Sequence, residues 1–396
     1  MTATSACPKS TAEAVSVAKE LSADFAVGAA SRDRHRDLPF REIDRLSTSG
    51  LLAITVPREY GGADLPPSTV AEVIRVLASA DPNIAQIPHS HFVYVNQLRL
   101  AGSAEQVLHY SELLLRGARI ANAQSERNSA TVADIATTVR PAGAGFRVDG
   151  AKYYCTGSLF ADILAVLTRL DDPNHESGLP DGQYVVYLPA DTPGVRIVDD
   201  WQALGQRTTG SGTVTFDSVL VDRSALVPRA PAVNAAGNYG AFAQLLHAAI
   251  DAGLARGALE AAAAFVRDKS RPWFEAGVER AVDDPLLIQR FGELAVVVQA
   301  AEATLVTAGA KVDEGAGADA SLAVAGAKIL ADKAANEVSS ALFEVSGTRS
   351  AASDLNLDHF WRNARTHTLH DPVRWKYQNI GRALLHGTPP PLHSAI

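Results

Sequence analysis

Phe146-Arg147-Val148, Ile163 to Leu167, Tyr184 to Leu188, Val195 to Val198, Val214-Thr215-Phe216 and Val219-Leu220-Val221 are short β-rich runs, joined upstream by Ile135 to Val139. Asp149-Gly150, Pro180-Asp181-Gly182 and Thr192-Pro193-Gly194 punctuate them as turns. Several short strands at such spacing predict an antiparallel sandwich or barrel. Working outward, the period changes on both sides. Upstream, Val15, Leu21, Phe25, Ile43, Leu46 and Leu51 recur at helical spacings, and Asp81-Pro82-Asn83 reads as a break with an N-cap. Downstream, Ala241 to Lys269, Pro285 to Val312 and Leu322 to Val345 are alanine-rich and long enough for several helical turns each. The expectation is an α+β chain with a helical domain over 1–118, a β domain over 119–228 and a four-helix bundle over 229–396. Helices, then strands, then helices is not the alternation of a doubly wound sheet. No Rossmann fingerprint or phosphate loop follows any strand.

Composition narrows the function. The 396 residues are 47% hydrophobic and 20% charged, as in a globular enzyme. A net charge of −8 argues against a nucleic-acid or anionic-membrane partner. No apolar run of about 18 residues is visible and no basic region precedes an apolar core near the N-terminus, so neither a membrane span nor a secretory signal is expected. Cys7 and Cys155 do not form a disulfide framework; a cytoplasmic location is expected. The small-residue helices, with Ala261-Ala262-Ala263-Ala264, fit packing between copies, so a homo-oligomer is expected.

Four of the eleven histidines fall in two tight pairs. His367 and His370 in Thr366-His367-Thr368-Leu369-His370-Asp371-Pro372 share a helical face at spacing three. His89 and His91 share a face if Pro88-His89-Ser90-His91-Phe92 is extended. Imidazoles exchange protons near neutral pH, so these pairs are read as a proton-handling site, with His89 itself read as a surface or structural ring. Neither pair matches a zinc spacing, and no metal is expected.

The order of these zones, with several signatures, resembles the acyl-CoA dehydrogenase superfamily. Its pieces are Val56-Pro57-Arg58-Glu59-Tyr60-Gly61-Gly62, Asn122-Ala123-Gln124-Ser125-Glu126, Asp149 through Gly157, Ser270-Arg271-Pro272-Trp273 and Phe343-Glu344-Val345-Ser346-Gly347. Asp200-Trp201-Gln202-Ala203-Leu204-Gly205, Arg271-Pro272-Trp273 and Trp361 through Pro372 are similar to its flavin-dependent monooxygenase branch, that of dibenzothiophene monooxygenase and the sulfone and sulfur-acquisition oxidoreductases. Where the dehydrogenases carry a glutamate base, this chain has His370, and the alternative base position falls at His247. Losing such a base forfeits roughly 10²–10⁴ in rate.

The resemblance therefore implies a two-component monooxygenase using reduced FMN and O2, through a C4a-(hydro)peroxyflavin, on an organosulfur or aromatic heterocyclic substrate. A separate flavin reductase would supply the flavin, since no nicotinamide site is visible; FAD is the less favoured cofactor. His91 and His370 would hold and protonate the oxygen adduct, with His367 assisting and Thr156 donating its hydroxyl. Asn122, Ser125, Tyr154, Thr156, Trp201 and His370 would contact the flavin, and Arg271 its phosphate in a neighbouring subunit of a homotetramer. The alternative is an FAD-dependent acyl-CoA dehydrogenase or oxidase.

Overall fold

The structure is a computed structural model that describes residues 7–127, 131, 134–235, 239–315 and 317–393. Helices α1 (Thr11–Ala26), α2 (Ala29–His35), α3 (Phe40–Thr48), α4 (Pro67–Ala80), α5 (Pro82–Ala101) and α6 (Ala104–Leu115) make up the N-terminal region. Asp81 ends α4 and caps α5, its carboxylate accepting from the backbone N–H groups of Asn83 and Ile84. Pro82 fills the first turn, where its missing N–H is no loss. That start carries the helix through Pro88-His89-Ser90-His91-Phe92, against the extended reading of that segment. On a helix, residues two apart point to nearly opposite sides, so His89 and His91 do not share a face.

Eight strands follow: β1 (Ile120–Ala123), β2 (Thr138–Ala142), β3 (Gly145–Lys152), β4 (Ile163–Leu170), β5 (Gln183–Pro189), β6 (Val195–Val198), β7 (Thr213–Val221) and β8 (Leu226–Pro228). They form one sheet in the order β6-β7-β3-β2-β4-β5-β8, with β1 beside β4. The sheet is mixed, which corrects the antiparallel expectation. β1 pairs parallel to β4 from Ile120↔Ile163 to Ala123↔Val166, and β2 continues along the same edge at Thr138↔Arg169 and Val139↔Leu170, also parallel. The remaining ladders are antiparallel. β1 enters straight from α6 and is too short to show a two-residue period.

After α7 (Ala230–Asn234) come α8 (Tyr239–Lys269), α9 (Pro285–Asp313), α10 (Ala318–Ser346), α11 (Asp358–His367) and α12 (Arg374–His386). Helix α8 is the axis of the molecule, flanked by α10, α9, α4 and α5. Gly253 and Gly257 let α4 approach: a Cβ there would lie 2.2 Å from Arg75 O and 2.1 Å from Ser79 O. On α9, Leu294, Val298, Ala301, Leu305, Ala308 and Val312 are buried at alternating spacings of four and three, the seam of a helix bundle. Its other side exposes Leu286, Ile288, Val296 and Val306. By length and composition α9 is apolar enough to cross a membrane, at mean hydropathy 1.3. No uninterrupted apolar run marks it in the sequence.

Candidate active site

The C-terminal end of α11, the middle of α8 and the middle of α5 converge on four imidazoles. His247 of α8 lies between two rings, with centroids 3.9 Å from His89 and 4.0 Å from His370. Its Nδ1 is 3.1 Å from His367 Nε2, and His367 Nδ1 is 2.6 Å from Asp251 Oδ1, one turn further along α8. His89 Nε2 donates to the Ala243 carbonyl at 3.0 Å. His367 is the last residue of α11, and His370 follows in the turn closed by its N–H on the His367 carbonyl. His367 is buried, whereas the His370 side chain is half exposed, with Nδ1 3.8 Å from Asp371 Oδ1.

Beneath the rings is a buried ion cluster. Lys328 of α10 donates to Asp251 Oδ2 at 3.0 Å and also contacts Asp332. Burial alone would push the Lys328 ammonium down, but Asp251 and Asp332 together outweigh it and hold it above the usual lysine range. Burial and the Asp251 charge push the Asp332 carboxyl up to about 8. Burial pushes His89 down to about 3, with the His370 and His367 rings adding to it. Burial also drives His247 and His367 well below the ordinary imidazole range; His370 is the next contributor for His247, and the Lys328 ammonium for His367. All three are therefore neutral at pH 7.

The second wall belongs to the sheet. Tyr154 takes a left-handed conformation, φ 57°, and stands edge-on to Trp201 at 6.0 Å. The Thr156 hydroxyl is 2.8 Å from Ser211 Oγ, which is itself 2.7 Å from Thr209 Oγ1. Ser125 pairs through its backbone with Tyr153. Two helices join this wall to the histidines. Asn363 of α11 accepts from Gln206 N–H at 2.6 Å, and Trp201 Nε1 donates to the Gln206 carbonyl. Asn83 of α5 accepts from Thr208 N–H. Gly205 makes the α11 contact feasible, since a Cβ there would lie 2.0 Å from Arg362 O.

The expected residues thus divide. His367 and His370 both pack against His247, while Ser125, Tyr154, Thr156 and Trp201 gather beside the sheet. His91 does not join them. Its Nδ1 accepts from Ile120 N–H at 3.1 Å and its Nε2 donates to the Leu52 carbonyl at 2.8 Å. With both nitrogens engaged by backbone and burial pushing it down to about 4, His91 is a tether between α5 and β1, not a proton donor. The structure therefore does not bring His91, expected to be catalytic, to the other imidazoles; His89, read as surface or structural, packs against His247 instead. His247, which the sequence places at the alternative base position without counting it in the site, stands at the centre of the cluster. Its signal is legible as His247/Asp251, with Lys328/Asp332, at i,i+4 within alanine-rich helices. Arg271 lies just past α8, exposed and without an ion-pair partner among the described residues.

A flavin fits this arrangement. The Asn122 Oδ1, Gln206 Oε1 and Nε2 and Gln244 Oε1 atoms are buried without hydrogen-bond partners, on β1, the Trp201 loop and α8. An isoalloxazine edge carries the donors and acceptors that these atoms lack. Among the described residues, no three His, Cys, Asp or Glu side chains are grouped to hold a metal.

The family models for the N-terminal, middle and C-terminal domains of acyl-CoA dehydrogenase match residues 12–118, 121–219 and 245–375. Dibenzothiophene monooxygenase of Rhodococcus qingshengii is 35% identical over 397 residues, covering 95% of this chain and 94% of that protein. A probable FMNH2-dependent monooxygenase of Pseudomonas putida, SfnC, is 28% identical over 95% of this chain and 96% of its own length. The crystal structure of TdsC from Paenibacillus sp. A11-2 with FMN and indole superposes with a TM-score of 0.90 at 35% identity, covering 97% of this chain and 99% of that one. The chain belongs to the acyl-CoA dehydrogenase family.

Proposed function

We propose that the chain is a two-component flavin-dependent monooxygenase that uses reduced FMN and O2 to oxygenate an organosulfur or aromatic heterocyclic substrate. The observation that carries this reading is the imidazole cluster where a dehydrogenase needs a free carboxylate. Asp251 is held by His367 and Lys328, and Asp371 by Lys376 at 2.8 Å, so neither is disposed as a base. The FMNH2 dependence given for SfnC and the FMN bound in TdsC support the cofactor.

Reduced flavin supplies the electrons that activate oxygen; the protein supplies binding, orientation and dryness. In this reading Tyr154 and Trp201 would wall one side of the flavin, Thr156, Asn122 and Ser125 would meet the ring edge, and His370 with His367, His247 and His89 would manage protons. Arg271, unpaired and outside its own subunit's site, is suited to a phosphate held by a neighbouring copy. The exposed apolar side of α9 gives such copies a surface to share, and we infer a homotetramer. Reduced flavin would come by diffusion from a separate reductase. The free thiols Cys7 and Cys155 accord with a cytoplasmic setting.

The test is to titrate FMN and FAD into the protein and to supply reduced FMN and oxygen with thioether, sulfone, thiophene and indole panels. FMN preference with an oxygenated product is expected. FAD preference with reduction by acyl-CoA under argon would overturn the reading.

A further inference from the structure

The hydrogen bonds beneath the histidines fix where each proton sits. An ionised carboxylate only accepts, and Asp251 Oδ2 already receives the Lys328 ammonium. Its Oδ1 must therefore accept from His367 Nδ1–H at 2.6 Å. In a neutral ring the other nitrogen is then a lone pair, so His367 Nε2 accepts from His247 Nδ1–H at 3.1 Å. The same logic leaves His247 Nε2 bare, and no described residue bonds to it. His89 ends likewise: Nε2–H goes to the Ala243 carbonyl, and Nδ1 is bare. Charges nearby do not compete for the chain: Asp332 is protonated below about pH 8, and Asp371 is paired with Lys376.

We propose that Asp251 is the positioning residue of the active site, ordering the protons of His367 and His247 so that His247 presents a hydrogen-bond-accepting Nε2 to the bound reactants. The donor to this acceptor is an O–H or N–H group of flavin, oxygen species or substrate. His370, the half-exposed ring, is then the member of the cluster open to exchange protons with solvent. The catalytic consequence rests on the monooxygenase reading; the proton order does not.

The Asp251→Asn substitution should invert the chain. Lys328 needs an oxygen, so the new side-chain amide would turn its carbonyl to Lys328 and its NH2 to His367. His367 Nδ1 would then accept, its Nε2–H would donate to His247, and His247 would carry its proton on Nε2. Long-range ¹H–¹⁵N spectra of the flavin-free, full-length, histidine-labelled protein read this directly, with His247→Gln for assignment. Wild type is expected to show Nδ1–H on His247, Asp332→Asn to keep it, and Asp251→Asn to show Nε2–H. In turnover with reduced FMN, Asp251→Asn should lose roughly 10²-fold in kcat with KM unchanged. Wild type carrying Nε2–H on His247, or Asp251→Asn leaving the tautomer as it was, overturns the inference, and the wild-type spectrum decides it even if the variant does not fold. An inverted tautomer with full kcat overturns the catalytic link. Correct tautomers in a protein that oxygenates nothing would instead contradict the monooxygenase reading alone.

Discussion

Methionine at position 328 would remove the ammonium from beneath the histidines and leave Asp251 with one oxygen uncovered. The Lys328 and Asp251 side chains are 1% and 0% exposed and 3.0 Å apart, so water cannot replace the lost partner. Breaking one side of such a pair costs ~3–5 kcal/mol, because the remaining charge stays buried. Asp332 shares the Lys328 ammonium and would lose the same partner. Urea denaturation followed by circular dichroism should therefore show Lys328→Met destabilised by that amount, and Lys328→Met/Asp251→Asn restored by most of it. A deficit below about 1 kcal/mol, or one that the second substitution leaves unchanged, would refute the buried charge balance on these magnitudes.

Three further outcomes follow from the same geometry. The Asp332 carboxyl, raised from 3.8 to about 8, keeps its proton in the fold while the unfolded chain loses it; this group lowers stability as pH climbs from about 4 to 8, and Asp332→Asn should flatten that slope in melts across the range. His91→Phe should cost ~2–4 kcal/mol by orphaning Ile120 N–H and the Leu52 carbonyl, while the folded fraction retains its turnover per bound flavin; loss of turnover at full stability would return His91 to the catalytic set. Arg271→Gln should weaken FMN roughly 10–100-fold, for one lost charge-assisted contact, and leave riboflavin binding alone; equal losses for both would show that Arg271 does not serve the phosphate.

The long helices and most strands were legible because their periods differ so plainly: α9 repeats every three or four residues, and the turns Asp149-Gly150 and Thr192-Pro193-Gly194 delimit strands. The parallel placement of β1 was not, since a four-residue strand has too few residues to declare its direction or partner. The histidine error had a single cause. Reading Pro88 to Phe92 as extended puts His89 and His91 on one face, whereas the Asp81 cap lets α5 run on and turns them apart. His247, Asp251 and Lys328 illustrate the opposite case. Each is an ionisable residue buried within a long helix, a placement costly enough to mark a function. Their pairing across α8, α10 and α11 depends on helix packing that no local window contains.

On the proposed reading, neutral imidazoles backed by one ordered carboxylate allow this chain to insert oxygen with reduced FMN. Turnover under ¹⁸O2 with chemically reduced FMN and an organosulfur or indole substrate, read by mass spectrometry of the product, tests it most directly. The account predicts one labelled oxygen atom per product molecule from wild type, and labelled product much reduced in His247→Gln and His370→Gln variants that still bind FMN. Unlabelled product, or full labelling after both rings are removed, would contradict it.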